Sequence, residues 1–276
     1  MFEKITKNID IMNYDDDKAR PLLAIVRGKE SSLVVDAGNS KSHAEEFIDY
    51  LNKENIDNIK YIGITHWHWD HIYGMQYMGL INIGSEKTKE KIKRLNNILN
   101  GEIQVEIEEK STISKIKPLF RDFGKIKNLD LSFDGMLRLD LGGINCIFEN
   151  LGGDHAEDST LIFIVEDKTM FLGDMPYRGF EGVYRTHHLN NVKKLRKEIL
   201  KYDCERFYTA HKDMYSRKEM ENLLDLMVKL GEYVGESVKY EEIYMRFKND
   251  YNREPNEEEE FFLKAYIDGN KYDSEK

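Results

Sequence analysis

One short stretch, residues 61–71, constrains this chain more than any other. It begins as the apolar run YIGI at residues 61–64, which predicts a buried strand. It then places four metal-binding side chains within six positions: His66, His68, Asp70 and His71. Imidazole and carboxylate groups suit zinc, iron or manganese. Buried together without a metal, each unpaired polar group would cost about 1–3 kcal/mol. The stretch therefore predicts a metal site at the end of a strand.

Composition narrows the class of protein. The chain has 276 residues, 40% of them hydrophobic, which suits one large domain or a domain with an appendage. Its net charge of -10 argues against a nucleic-acid partner. Neither a signal peptide nor an apolar run long enough for a membrane helix is found, so we expect a cytoplasmic protein acting on a small molecule. Cys146 and Cys204 form no CxxC pair and are expected to be small buried hydrophobes.

Three more predicted strands run into metal-type residues. These are His155, Asp174 and His211. Singly, each has an ordinary interpretation: a loop histidine, a turn residue after Gly173, and a helix cap. Strands of one sheet bring their carboxyl ends to a common edge, where ligand sites of α/β proteins prefer to lie. With the first four side chains they make five imidazoles and two carboxylates, enough to hold two metal ions.

The remaining pattern predicts a mixed α/β organisation. Strands are predicted at 22–26 and 32–35, with a hairpin at 136–148, and helices at 43–54 and 189–201. The segment of about 85–130 includes the least readable part of the chain and is interpreted as an insertion that lies over the site or packs against a partner chain. From 216 onward nearly everything is predicted to be helical. We therefore expect a core of residues 1–215 and a helical extension, 216–276, that packs on the core or on a partner chain.

Taken together, the motifs resemble those of the metallo-β-lactamase-fold hydrolase superfamily, most closely its glyoxalase II-type and lactonase-type branches. The matching segments are Thr65-His66-Trp67-His68-Trp69-Asp70-His71, Gly153-Asp154-His155, Gly173-Asp174 and Ala210-His211, with Asp36-Ala37-Gly38 upstream. Order and approximate spacing agree from about residue 20 to 213. The resemblance implies a four-layered αββα sandwich of the α/β (α+β) class, with residues 1–215 as the catalytic domain and the site at one edge of two sheets.

The resemblance also implies a division of the ligands. His66, His68 and His155 would bind one ion, Asp70, His71 and His211 would bind a second, and Asp174 would bridge both. Asp36 would hold the ligand loop through hydrogen bonds, as partners of metal ligands generally do. We expect two divalent ions per chain, zinc first, with iron or manganese as alternatives.

The implied activity is hydrolysis of a small ester-like bond, in a thioester, a lactone or an ester, by a metal-bridging hydroxide. Asp70 would also orient the nucleophile. Tyr177 would hold the substrate carbonyl, as a tyrosine does in lactonase-type relatives, or would simply pack on its loop. Asp174 stands where β-lactamases with a cysteine ligand have that cysteine, which argues against β-lactam hydrolysis as the main activity.

Three rival functions stay open at this point. A phosphodiesterase or nucleotide hydrolase of the same fold would usually carry extra motifs, which this acidic chain lacks. A non-haem iron oxidoreductase resembling persulfide dioxygenases would use one iron, whereas the second ligand set here is complete. A metal-binding protein without turnover is the third. A homodimer is possible, and His187 and His188 are interpreted as helix-start or surface residues.

Overall fold

The computed structural model describes residues 1–102 and 126–276. In these ranges the first sheet has seven strands, in chain order. They are β1 (Phe2–Lys4), β2 (Ile9–Met12), β3 (Leu23–Arg27), β4 (Ser32–Val35), β5 (Ile59–Gly63), β6 (Ile81–Ser85) and β7 (Leu131–Phe133). The pairs from β1 to β4 are antiparallel and those from β4 to β7 are parallel. Parallel neighbours need crossover connections, which here contain helices.

The second sheet has six strands in the order β15-β14-β11-β10-β9-β8. They are β8 (Met136–Asp140), β9 (Asn145–Asn150), β10 (Thr160–Ile164), β11 (Thr169–Phe171), β14 (Arg206–Tyr208) and β15 (Tyr215–Ser216). A separate two-stranded ribbon pairs β12 (Gly179–Glu181) with β13 (Tyr184–Thr186). Because β10 is antiparallel to both β9 and β11, and β14 is parallel to β11, strands β9, β11 and β14 end at the same edge.

Helices cover the outer faces of both sheets. Those of the first half are α1 (Lys41–Lys53), α2 (Trp69–Ile72), α3 (Met75–Met78) and α4 (Glu86–Leu99). Those of the second half are α5 (Leu189–Leu200), α6 (Arg217–Val234), α7 (Tyr240–Tyr251) and α8 (Glu257–Glu275). Capping boxes start α6 at Ser216 and α8 at Asn256, which fixes where these helices begin. No helix in the described ranges combines the length and the apolar character that crossing a membrane requires.

Three apolar clusters fill the spaces between the layers. Phe47 of α1 and Ile92 of α4 pack on the outer face of the first sheet, and Phe148 and Ile162 lie between the sheets. The third cluster packs α5, α6, α7 and α8 on the second sheet. This helix–sheet–sheet–helix order confirms the expected αββα fold and helical C-terminal part. In the presumed insertion, α4 packs on the first sheet, and residues 103–125 lie outside the described residues.

The first two strands were not predicted, because Asp10 interrupts the apolar pattern of β2. Asp10 is fully buried, and its carboxylate accepts hydrogen bonds from both terminal guanidinium nitrogens of Arg27, at 2.5 and 2.9 Å, and from the Tyr50 hydroxyl at 2.9 Å. A buried charge is tolerated when it is paired in this way. The polar position is thus part of a buried strand.

Candidate metal centre

The loop after β5 is held by one carboxylate, that of Asp36. This residue follows β4, has a φ of 57° and is buried. Its oxygens accept hydrogen bonds from the backbone N–H of Thr65 at 2.8 Å and from the Thr65 hydroxyl at 2.9 and 3.1 Å. Asp36 also lies 2.8 Å from Nδ1 of His71. A carboxylate can only accept, so the Nδ1 proton of His71 is donated to Asp36 and Nε2 faces the centre.

The loop before Asp174 approaches the same point closely. Gly173 has a φ of +54°, and a Cβ at this position would lie 2.6 Å from the Thr65 hydroxyl oxygen. Only glycine therefore allows the end of β11 to come against the loop that follows β5. In this way the two sheets, and not a single sheet, bring their metal-type residues together.

The first group of donors comprises His66, His68, His155 and Asp174. Each of these residues offers one potential ligand atom, and the four atoms all lie within 4.8 Å of one another. Nδ1 of His68 lies 3.0 Å from Nε2 of His66 and 2.9 Å from Nε2 of His155. His155 Nδ1 lies 3.2 Å from the Arg178 carbonyl oxygen, which can only accept, so Nε2 of His155 presents its lone pair to the centre.

The second group of donors comprises Asp70, His71 and His211, again within 4.8 Å of one another. Oδ2 of Asp70 lies 3.1 Å from Nε2 of His211 and 3.6 Å from Nε2 of His71. Asp174 joins the two groups, since its Oδ2 is 3.2 to 3.9 Å from four imidazole nitrogens. These belong to His155, His71, His211 and His66.

Burial and charge set the protonation of the donors in different directions. Burial lowers the pKa of His66 well below its ordinary value and that of His68 to about 3, helped by neighbouring histidines. Burial acts in the same direction on His71 and His211, but carboxylates outweigh it and raise the pKa of each. Burial would raise the pKa of Asp70 and Asp174, yet the histidines around them lower it. Both carboxylates are therefore ionised at neutral pH.

The donor set fits divalent metal ions. Nε2 of His71 and Oδ1 of Asp174 are buried and have no hydrogen-bond partner in the described residues. Such atoms cost free energy unless something pairs with them. Imidazole nitrogens, which lose any proton on metal binding, and ionised carboxylate oxygens are the chemistry that Zn²⁺ and similar ions take. All seven side chains predicted as ligands thus lie together, in the two groups that the resemblance implied.

Further residues support the ligands and were not predicted. Asp158 accepts a hydrogen bond from the Trp67 N–H at 2.8 Å, inside the ligand loop. Asp154 precedes His155 and lies 3.3 Å from His187 Nδ1 and 2.8 Å from His188 Nδ1. His187 is only 2% exposed, so it is not a surface residue, whereas His188 directly precedes α5, as the helix-start interpretation predicted. The sequence signals for this cluster were the consecutive histidines His187 and His188 and the Gly153-Asp154-His155 motif.

Tyr177 lies between the two ligand loops. Its hydroxyl donates a hydrogen bond to the Thr209 hydroxyl at 3.0 Å and accepts one from the His211 N–H at 3.2 Å. Burial, with Asp174 nearby, raises the pKa of this phenol, so it stays protonated at neutral pH. The hydroxyl thus positions the His211 backbone, and its predicted role toward a substrate carbonyl stays a prediction.

The donors open onto a cleft of about 690 Å³. His155, Asp174 and His211 line it together with Tyr177. The C-terminal helices also line it, through the apolar side chains Leu223 of α6 and Phe261 and Phe262 of α8, and through Glu257 and Glu258 at the start of α8. A small-molecule ligand can therefore contact the metal-type residues and the C-terminal helices at the same time.

Comparison with known families assigns the fold. Residues 23–211 match the family model described as the metallo-beta-lactamase superfamily, and this span contains all seven donors. The chain belongs to this superfamily. The family named from the motifs is therefore confirmed, whereas the match does not distinguish the glyoxalase II-type and lactonase-type branches. No curated protein sequence matches the chain.

Solved structures of this superfamily share the fold at low sequence identity. A metallo-beta-lactamase from Pontibacter korlensis is 18% identical with a TM-score of 0.56, covering 82% of this chain and 98% of that chain. One from Erythrobacter litoralis is 14% identical with a TM-score of 0.56, covering 81% and 94%. A sec-alkylsulfatase from a Pseudomonas species is 12% identical with a TM-score of 0.66, covering 98% of this chain but 49% of its own. At these identities the likeness concerns the fold alone.

Proposed function

We propose that this chain is a metal-dependent hydrolase that cleaves a small ester-like bond: a thioester, a lactone or an ester. The observation that supports this most is the position of Asp174, whose Oδ2 lies within 3.9 Å of four imidazole nitrogens from both donor groups. Two divalent ions are the expected complement, with zinc as the first candidate. What bound ions supply at such a site is a lowered pKa of coordinated water and stabilisation of charge on the substrate oxygen.

The residues of this chain have separate tasks in such a reaction. His66, His68 and His155 would hold one ion, Asp70, His71 and His211 the other, and Asp174 both. Asp36, Thr65 and the Arg178 carbonyl keep the imidazoles in the required tautomers. The Asp70 carboxylate, ionised at neutral pH, can accept a hydrogen bond from a water molecule and orient it toward the substrate.

β-Lactam hydrolysis is not the activity proposed. The position at which cysteine-using β-lactamases have their thiol ligand is Asp174 here, and Cys146 and Cys204 are both buried elsewhere. Burial raises the pKa of both thiols, that of Cys204 to about 12, so neither is a thiolate at neutral pH. The glyoxalase II-like or lactonase-like branch is the proposal that agrees with a complete set of histidine and aspartate donors.

Sulfate ester hydrolysis is a second candidate. The alkylsulfatase structure aligns over 98% of this chain and so includes the helices after residue 211, whereas the Pontibacter β-lactamase covers 82%. A sulfate ester is also opened by attack of activated water. The substrate panel described next therefore includes a secondary alkyl sulfate.

The test combines a metal assay with this panel on the purified protein. We expect about two zinc ions per chain, no colour, and turnover of a thioester, lactone or ester above that of a phosphodiester or the alkyl sulfate. Asp174→Ala should weaken metal binding and lower turnover, each by about a hundredfold, and Asp203→Ala, at an exposed position, should leave both unchanged. One iron per chain with oxygen uptake, or metal without turnover of any substrate, would contradict the proposal.

A further inference from the structure

A buried carboxylate connects the loop of His155 to the start of α5. Asp154 directly precedes His155, and its side chain is only 3% exposed. Its oxygens accept hydrogen bonds from the backbone N–H of His188 at 3.0 Å, from Nδ1 of His188 at 2.8 Å and from Asn191 at 2.6 Å. Nδ1 of His187 lies 3.3 Å away. Burial would raise the pKa of Asp154, but these hydrogen bonds lower it, so the carboxylate is ionised at neutral pH.

The other side of the His188 ring faces two more carboxylates. Because a carboxylate can only accept, the Nδ1 proton of His188 is donated to Asp154. Nε2 of His188 lies 3.7 Å from Oε2 of Glu181 in β12 and 3.6 Å from Oδ2 of Asp273 in α8. The Glu181 oxygen is buried and has no hydrogen-bond partner in the described residues. A neutral Nε2 presents a lone pair to these anions, whereas a protonated Nε2 attracts both.

The carboxylates favour the charged form of this imidazole. The hydrogen bond to Asp154 raises the pKa of His188, burial opposes the rise, and the charges of Asp154, Glu181 and Asp273 add to it. The His188 side chain is 22% exposed, so solvent screens these attractions only in part. One imidazolium can therefore hold three anions that would otherwise repel one another.

The two-stranded ribbon and α8, which meet at His188, both contribute to the cleft. Phe180 of the ribbon and Phe261 of α8 line it, whereas His188 does not. Arg178, just before the ribbon, also contacts α8, since its guanidinium carbon lies 3.8 Å from the centre of the Phe261 ring. His188 is thus placed to act on the cleft indirectly, through the elements that line it.

Two glycines allow these elements to approach each other closely. A Cβ on Gly179 at the start of the ribbon would lie 2.3 Å from the backbone oxygen of Asp154. A Cβ on Gly269 of α8 would lie 2.4 Å from the backbone oxygen of His187. Larger side chains at these positions would force the ribbon and α8 away from the His155 loop.

The other charged groups at this junction have partners of their own. Asp268 of α8 accepts a hydrogen bond from the backbone N–H of Arg185 at 3.3 Å, and Glu275 accepts one from the Tyr184 hydroxyl at 2.6 Å. The Arg185 guanidinium stacks on the ring of Phe180. These contacts join the ribbon to α8, whereas the contacts of His188 join both of them to Asp154.

We propose that His188 is a positioning residue: its imidazolium form ties the ribbon and the C-terminal end of α8 to Asp154, and its deprotonation loosens them and widens the cleft. A folded-state pKa above the ordinary value means that this link is complete below the ordinary value. It is lost as the pH rises through the folded-state pKa. The link does not depend on what the site cleaves, but its effect on a substrate rests on the proposed hydrolytic function.

The test compares amide hydrogen exchange in the metal-loaded protein and in its His188→Asn variant, at pH 6 and at pH 9. Asparagine can keep the hydrogen bond to Asp154, because its amide nitrogen takes the place of Nδ1, but it carries no charge. At pH 6 residues 179–186 and 268–275 should exchange about fivefold faster in the variant. At pH 9 the two proteins should exchange equally. All other titratable groups are common to both, so the difference measures the charge of His188.

Matched variants assign the effect to the carboxylates. Glu181→Gln and Asp273→Asn should each reproduce part of the faster exchange at pH 6 and add nothing in the His188→Asn background. Asp273 is exposed, so its variant tests the link without altering a buried side chain. Asp203→Asn should change nothing, and helix α7 should exchange alike in all variants. A His188→Asn effect of equal size at both pH values, or no effect at either, would overturn the proposal.

The cleft provides a second readout. On an ester that the protein cleaves, His188→Asn should raise KM several-fold at pH 6, leave kcat unchanged and have no effect on KM at pH 9. The reason is that the ribbon and α8 supply apolar contacts to a ligand and none of the metal-type residues. A fall in kcat with unchanged KM would contradict the positioning role. Absence of hydrolysis would count against the proposed function and would leave the exchange result as the decisive test of the link.

Discussion

The two walls of the cleft are built on different principles. The metal wall consists of polar side chains on loops after β5, β9, β11 and β14, and hydrogen bonds to Asp36, Thr65 and the Arg178 carbonyl orient its histidines. The C-terminal wall, α6 and α8, presents Leu223, Phe261 and Phe262 and lies outside the family match at 23–211. Its positions are set by apolar packing. The difference suggests that reaction chemistry resides in the first wall and substrate selection in the second.

The largest effect is expected if the two walls are one folding unit. Leu263 of α8 is fully buried, and Leu263→Ala should lower the free energy of unfolding by about 2–5 kcal/mol. Both tryptophans, Trp67 and Trp69, lie in the metal wall, so their fluorescence follows that wall during urea unfolding. We expect fluorescence and circular dichroism to shift together.

The neighbouring exposed Lys264 supplies the control, and Lys264→Ala should leave the urea midpoint within the range of surface substitutions. A fluorescence transition that Leu263→Ala does not shift would contradict the expectation that the two walls unfold together. It would show that residues 216–276 unfold as a separate domain.

The two walls differ in how far the sequence predicts them. Metal-binding side chains have restricted chemistry and here follow strands, so seven candidate ligands could be named without the structure. The contact of Arg178 with Phe261 joins residues far apart in the chain, and neither has a type or spacing that indicates a site. The supporting residues Thr65 and Asp158 are common polar types whose role depends on tertiary position. The hydrophobic pattern missed β2, because a buried Asp10 paired with Arg27 resembles a surface position.

Within the metal wall, Asp36 should control the second donor group more than the first. Asp36→Asn can still accept a hydrogen bond from Thr65, and asparagine tolerates the positive φ, but the amide weakens the pairing with His71 Nδ1. We expect about 10- to 100-fold weaker binding of one metal ion, measured by competition with a chromogenic chelator. The first ion should keep its affinity, and an equal loss of both would show that the two groups are not separable.

Asp158 provides a pH-dependent test of how much the burial of a carboxylate in the metal wall lowers the free energy of unfolding. Burial raises its pKa to about 6, above an unfolded value near 3.8. The folded state therefore holds an extra proton between these values, and its stability falls as the pH rises through 6. Asp158→Asn keeps an acceptor for the Trp67 N–H and carries no charge. From pH 5 to pH 7.5 the variant should gain about 1.4 kcal/mol of unfolding free energy relative to the unchanged protein.

Urea unfolding at the two pH values measures this difference, with Asp203→Asn as the exposed control. A constant difference between variant and unchanged protein would mean that Asp158 is ionised throughout. The buried carboxylate of the metal wall would then be stabilised in its charged form.

Tyr177 lies beside both walls, and the smallest effect on metal binding and turnover is expected there. Its hydroxyl proton is donated to Thr209 and its oxygen accepts the His211 N–H, so Tyr177→Phe removes two hydrogen bonds but no ligand. We expect a loss of stability of about 1–3 kcal/mol, unchanged metal content and less than a tenfold change in kcat. Thr209→Val removes the acceptor alone and should reproduce part of the stability loss. A hundredfold fall in kcat for Tyr177→Phe, with metal content unchanged, would show that the phenol leaves Thr209 to bind the substrate carbonyl. Tyr177 would then act on the substrate together with the residues of the metal wall, and would not serve only to position the His211 backbone.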